Sequence, residues 1–139
     1  MKNIIYLCIL SILIATNACS RSGFGTETVG PSLRSYNFGA EGGSVTITTR
    51  GTFWWISEWD FRTYGSTTFV EFTRGRLPSG IRIEEVVKVK SDWFEVTKET
   101  ARKLRIEVQS NETGEQRLFR ILLDQGNVGV FVTITQAAK

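Results

Sequence analysis

Histidine is absent from the 139-residue chain, and cysteine occurs only at Cys8 and Cys19. Ser-His-Asp and Cys-His nucleophilic catalysis need an imidazole to carry the proton, and ordinary zinc sites draw on both residue types, so the sequence excludes these chemistries. Charge of one sign is also lacking: 17 basic side chains face 14 acidic ones. The basic residues are scattered (Arg50, Arg62, Arg74, Arg105, Arg120), whereas a nucleic-acid interface needs them clustered. No long segment repeats its apolar residues with a 3.6-residue period, which removes helical bundles from consideration. Glycine concentrates at Gly39-Ala40-Glu41-Gly42-Gly43. That stretch lacks the Lys-Ser/Thr ending and following helix of a phosphate cradle, and it reads as a hairpin turn.

What is present is alternation. Leu104, Ile106 and Val108 interleave with Arg105, Glu107 and Gln109; Phe119, Ile121 and Leu123 interleave with Arg120, Leu122 and Asp124. Val128, Val130, Val132, Ile134 and Gln136 occupy one face of a last strand. This period of two marks strands with one buried face. Earlier in the chain, 35–38, 44–49, 52–57, 67–73, 81–89 and 92–96 read the same way, with residues 97–102 as a turn or a single helical turn and 58–65 as an aromatic-rich loop. Eight or nine short strands at this spacing predict an all-β, immunoglobulin-like antiparallel β-sandwich.

The first residues read as an address. Lys2 precedes an apolar run from Ile4 to Ala15, broken only by Ser11. A helix of that length reaches about 18 Å, short of a hydrocarbon layer of about 30 Å, so it is expected to act as an export signal. Ala15-Thr16-Asn17-Ala18-Cys19 resembles a bacterial lipobox, which predicts a signal peptide over residues 1–18 and lipid attachment at Cys19. Cys8 would leave with the leader, so no disulfide is available and the fold must stand on its core. Residues 19–34, rich in Gly, Ser and Thr, are expected to form the lipidated cysteine and a flexible tether. A single domain would then occupy residues 35–139. By resemblance to Gram-negative lipoproteins, Ser20 after the cysteine favours the outer membrane. The lack of an acidic run in residues 20–26 favours its periplasmic side over the cell surface.

The order of motifs carries a family resemblance. Gly42-Gly43-Ser44-Val45-Thr46-Ile47, Trp54-Trp55-Ile56, Asp92-Trp93-Phe94-Glu95-Val96, Leu104 to Asn111, Arg117 and the closing Val132-Thr133-Ile134-Thr135-Gln136 follow one another as in BACON domains, the Bacteroidetes-associated carbohydrate-binding, often N-terminal modules. The chain resembles a divergent BACON-domain lipoprotein, with 37 residues between Trp55 and Trp93 holding an inserted hairpin. The resemblance implies an immunoglobulin-like sandwich of exported proteins, frequently found in polysaccharide-degradation systems.

Aromatic residues crowd one stretch: Phe53, Trp54, Trp55, Trp59, Phe61 and Tyr64. In a strand Trp54 and Trp55 point to opposite faces, so if Trp54 enters the core Trp55 leaves it. Flat rings on a sandwich surface can stack on pyranose faces, and Trp55, Trp59, Phe61 and Tyr64 are the candidate ligand-binding residues. Burial of Phe53 and Trp55 beneath the inserted hairpin, against Phe69 or Phe72, is the competing reading. The carboxylates Asp60, Glu84, Glu85, Asp92, Glu95 and Asp124 read as solvated charge, not as a glycosidase pair. No catalytic residue, metal site or cofactor is expected. The reading is a non-catalytic outer-membrane lipoprotein that binds glycan through surface aromatics. The alternative is a structural or assembly lipoprotein docking on another exported protein.

Overall fold

A computed structural model describes residues 28–65, 67–76 and 84–139; the export signal, Cys19 and most of the expected tether lie outside the described residues. Ten strands are present among them and no helix. In chain order these are β1 (Ser35–Phe38), β2 (Gly43–Thr48), β3 (Trp55–Ile56), β4 (Arg62–Tyr64), β5 (Val70–Gly75), β6 (Glu85–Ser91), β7 (Phe94–Thr100), β8 (Lys103–Val108), β9 (Arg117–Asp124) and β10 (Gly129–Gln136).

Two sheets form the sandwich. One runs β2-β8-β7-β6-β5, and the other runs β1-β10-β9-β3, with β4 also on β9. The period-two patterns set which residues face inward. Leu104, Ile106 and Val108 of β8 lie buried against Phe119, Ile121 and Leu123 of β9, with Val132 and Ile134 of β10 beside them. The pairings are antiparallel except that β1 joins β10 in parallel, Ser35 opposite Thr133. The sandwich is therefore not purely antiparallel. A first strand laid beside the last must run the same way whenever the intervening chain ends on that direction, and alternation alone does not encode this.

Trp54 and Trp93 are both 1% exposed and fill the centre. The Trp93 indole N–H donates to Thr67 Oγ1 at 2.9 Å, and the Arg117 guanidinium stands 4.8 Å from its ring centre. At that end Gln136, fully buried, accepts from Arg117 Nη2 through Oε1 (2.9 Å) and donates through Nε2 to the Gln109 carbonyl (2.7 Å). The closing glutamine thus ties the last strand to the turn after β8, satisfying backbone groups that would otherwise lie unpaired.

Three expectations need correction. The chain packs from Val29 onward, earlier than Ser35: Val29 is fully buried, its carbonyl accepts from Gly51 N–H, and Pro31 bridges Thr49. One valine among glycines and threonines gives no periodic signal. Residues 97–100 continue β7 as strand, with the turn confined to Ala101 and Arg102. There a lysine, Lys98, occupies an inward position, which hid the alternation. Thirdly, Arg62–Tyr64, expected within a loop, forms β4.

Gly42 makes the β1–β2 turn possible. Its φ is +76°, and a Cβ there would collide with the Val108 carbonyl oxygen. Gly42→Ala is expected to cost at least about 1–2 kcal/mol from the left-handed backbone alone, read as a fall in the thermal midpoint, whereas Gly114→Ala, with open space around its Cβ, should cost less.

Candidate functional site

The free edge of β9 positions the site. Trp55 and Ile56 of β3 pair with Asp124 and Leu123, and Arg62–Tyr64 of β4 pair with Arg120–Leu118. Two short strands share one edge, so the chain between them must leave the sheet and return within a few residues. It does so through a tight turn in which Phe61 N–H donates to the Glu58 carbonyl and Ser57 Oγ donates to Asp60 Oδ2 at 2.9 Å. Arg62 Nη1 closes the turn by donating to the Trp59 carbonyl at 2.7 Å. This geometry expels Trp59, which is 88% exposed, and inserts Phe61, which is 8% exposed.

The four candidate rings therefore separate. Phe61 packs in the core, its ring 6.0 Å from Phe119 and 5.8 Å from Phe94, and so it cannot take part in a surface site. Tyr64 is exposed but sits opposite Leu118, six residues along β9 from Asp124, which faces Trp55. At about 3.4 Å per residue the two are about 20 Å apart. Trp55 and Trp59 do come together. They share a cleft of about 340 Å³ with Phe53, which is 60% exposed and stands edge-on to Trp55 at 5.9 Å. Trp55 is half-buried, with Gly126 beside its ring. Phe53 belonged to the aromatic cluster in the sequence; the alternation that placed Trp55 outward also placed Phe53 there.

Carboxylates border the rings. Glu84 just before β6, Glu85 at its start, Asp124 from β9 and Glu58 from the turn all line the cleft, with Arg74 of β5 paired to Glu58 at 2.9 Å. Asp124 Oδ1 accepts the Gly126 N–H at 2.7 Å and so holds the turn between β9 and β10.

Glu85 was expected to be solvated, and it is buried. Its Oε2 accepts from Lys98 Nζ at 2.7 Å, and both side chains are almost wholly enclosed. The Lys98 ammonium also donates to the Trp54 carbonyl and lies 4.0 Å from the Trp54 ring centre. Burial pushes the Lys98 pKa below its ordinary 10.5, with the hydrogen bond and charge of Glu85 opposing that shift. The other carboxylate oxygen, Glu85 Oε1, is buried with no hydrogen-bond partner. Leaving such an acceptor unsatisfied costs about 1–3 kcal/mol.

No protein-family model matches the chain, and no curated protein matches it. A solved structure does match. The NMR structure of a protein from Bacteroides thetaiotaomicron aligns with a TM-score of 0.55 and 21% sequence identity, over 76% of this chain and 77% of that one. At that identity the likeness shows the fold alone, and the fold is the two-sheet sandwich described above.

Chemically the cleft offers stacking area and acceptors. Each exposed ring presents a flat apolar face, and each carboxylate oxygen accepts hydrogen bonds from hydroxyl or amine donors. Among the described residues no three His, Cys, Asp or Glu side chains converge as metal ligands.

Proposed function

We propose that this chain is a non-catalytic, lipid-anchored outer-membrane protein that binds glycan in the cleft formed by Phe53, Trp55 and Trp59. The observation that carries the reading is this group of three rings gathered at one end of β3 and fringed by carboxylates. Core packing does not account for Trp59, because its indole touches so little of the protein. Trp55, held on the sheet edge by β3, loses little conformational freedom when a pyranose stacks on it, and Trp59 is presented beside it by a hydrogen-bonded turn. Acidic side chains around the rim would accept the hydrogen bonds of equatorial hydroxyls. The motif series that resembles BACON domains, ending in the buried Gln136, supports the same reading, as does the lipobox-like segment before Cys19. Tyr64 and Phe61 are left out of this surface.

The test is a titration of the purified protein with plant and host polysaccharides, comparing wild type with Trp59→Ala. Stability should change by no more than about 0.5 kcal/mol, since the residue is exposed, while affinity should fall about tenfold, the loss of one stacking ring. No affinity in either protein would count against glycan binding. A stoichiometric protein partner captured by mild crosslinking, without sugar affinity, would favour docking on another exported protein.

A further inference from the structure

We infer that the cleft selects sugars carrying a free, protonated amine over their N-acetylated, neutral and acidic counterparts. The inference rests on the glycan reading above and narrows it to a substrate class.

Charge supplies the first argument. Of the cations near the cleft among the described residues, Arg74 is paired to Glu58 and Lys98 to Glu85. Glu84 and Asp124 line the same cleft and take part in no salt bridge among the described residues. The described lining is therefore acidic, although the chain as a whole carries a net charge of +3. An acidic sugar would be repelled there. A neutral sugar would gain nothing from the excess of carboxylates beyond ordinary hydroxyl hydrogen bonds.

The second argument comes from Glu85. It lines the cleft, is nine-tenths buried, and uses only one of its two oxygens on Lys98. Oε1 is left without a donor and has almost no accessible surface, so Glu85 acts on a cation in the cleft through its charge and not through a direct hydrogen bond; the exposed Glu84 supplies the reachable oxygens. An ammonium group brings three N–H donors and no acceptor, so it can satisfy a carboxylate oxygen while also neutralising charge. A hydroxyl supplies one donor and no charge.

The rings give a third, independent reason. The faces of Trp55, Trp59 and Phe53 are electron-rich, and a cation set over them is attracted by the ring quadrupole, most strongly for tryptophan. Stacking alone accommodates any pyranose with an apolar face. Indoles beside two carboxylates that have no salt-bridge partner among the described residues together fit an amino sugar whose nitrogen is not acylated.

Calorimetric titration of the purified full chain with three oligosaccharides of equal length tests this: glucosamine, N-acetylglucosamine and galacturonate oligomers, at mildly acidic pH where the amine holds its proton. The amine-bearing oligomer should bind about tenfold tighter than the acetylated one, and added salt should narrow the gap. Glu85→Gln should shrink the preference. Because that change leaves Lys98 without its counter-ion and threatens the fold, Glu84→Gln, at an exposed position, provides a second variant, in which affinity for the amine-bearing oligomer should fall more than affinity for the acetylated one. Equal affinity for the amine-bearing and acetylated oligomers, or a preference unmoved by Glu84→Gln and salt, overturns the selectivity and leaves glycan binding standing. Affinity for none of the three overturns the selectivity, and affinity for none of them nor for the plant and host polysaccharides overturns both, as does binding of oligolysine in the absence of sugar binding.

Discussion

Replacing Glu85 by alanine lowers the unfolding free energy by about 3–5 kcal/mol, because it strands the Lys98 ammonium in a site with no solvent. Lys98 has no exposed side-chain surface, and the groups left to it are the Trp54 carbonyl and the Trp54 ring. Against a total stability of about 5–15 kcal/mol for a domain of this size, the loss is large. Denaturant titration measures it. The double change Glu85→Ala with Lys98→Met should be milder than Glu85→Ala alone, since a thioether needs no counter-ion. If the single change costs under about 1 kcal/mol, the pair is not buried as described. The pH dependence has a definite sign. Burial holds the folded Lys98 pKa below the unfolded value of 10.5, so between those two values the unfolded chain binds the extra proton and stability rises with pH. Removing Glu85 depresses the folded pKa further. Glu85→Ala should therefore regain part of its lost stability as the pH climbs toward 10.5, and Lys98→Met should show no such rise.

Trp54→Ala should cost a similar amount, about 3–5 kcal/mol. The indole is 1% exposed, and its N–H is shared between Thr49 Oγ1 at 3.0 Å and the Ala101 carbonyl at 2.9 Å. Truncation opens a cavity between the sheets, removes the ring beneath Lys98 and leaves two acceptors short of a donor. Trp54→Phe restores much of the buried area but not the N–H, so it should fall between alanine and wild type. Thermal or denaturant unfolding of the two variants beside Trp59→Ala makes the comparison sharp. Two tryptophans five residues apart should differ by several kcal/mol in what they contribute to stability, one being core and the other surface. Because Trp54 and Glu85 both act on Lys98, their losses should not add.

The alternating segments of β8, β9 and β10 were plain in the sequence because each keeps apolar residues on one face, interrupted only at one end by Arg117 of β9 and Gln136 of β10. The same alternation set Trp54 and Trp55 on opposite faces while leaving open whether Trp55 is covered; Trp54 proves to be core and Trp55 half-buried. Lys98 and Glu85 were not legible. They lie 13 residues apart on neighbouring strands, and nothing local distinguishes a buried ion pair from two solvated charges. Phe61 and Trp59 were indistinguishable within one aromatic-rich loop, because which ring a turn inserts depends on its hydrogen bonds, here from Phe61 N–H to Glu58 and from Arg62 to Trp59. Tyr64 lies close to Trp55 in sequence, yet β4 carries it along β9 to the far end of the pairing. Sequence proximity overstated the size of the aromatic surface and missed the carboxylates that β6 and β9 bring to it.

The most direct measurement is the indole N–H region of a two-dimensional ¹H–¹⁵N spectrum during titration with neutral, N-acetylated and amine-bearing oligosaccharides. The chain has four tryptophans, each giving one signal assignable by substitution. Binding in the cleft should move the signals of Trp55 and Trp59 with at least one of the sugars, while Trp54 and Trp93, enclosed between the sheets, stay in place. Stationary Trp55 and Trp59 signals in the presence of every sugar, or a sugar that binds while leaving both unmoved, would contradict the account.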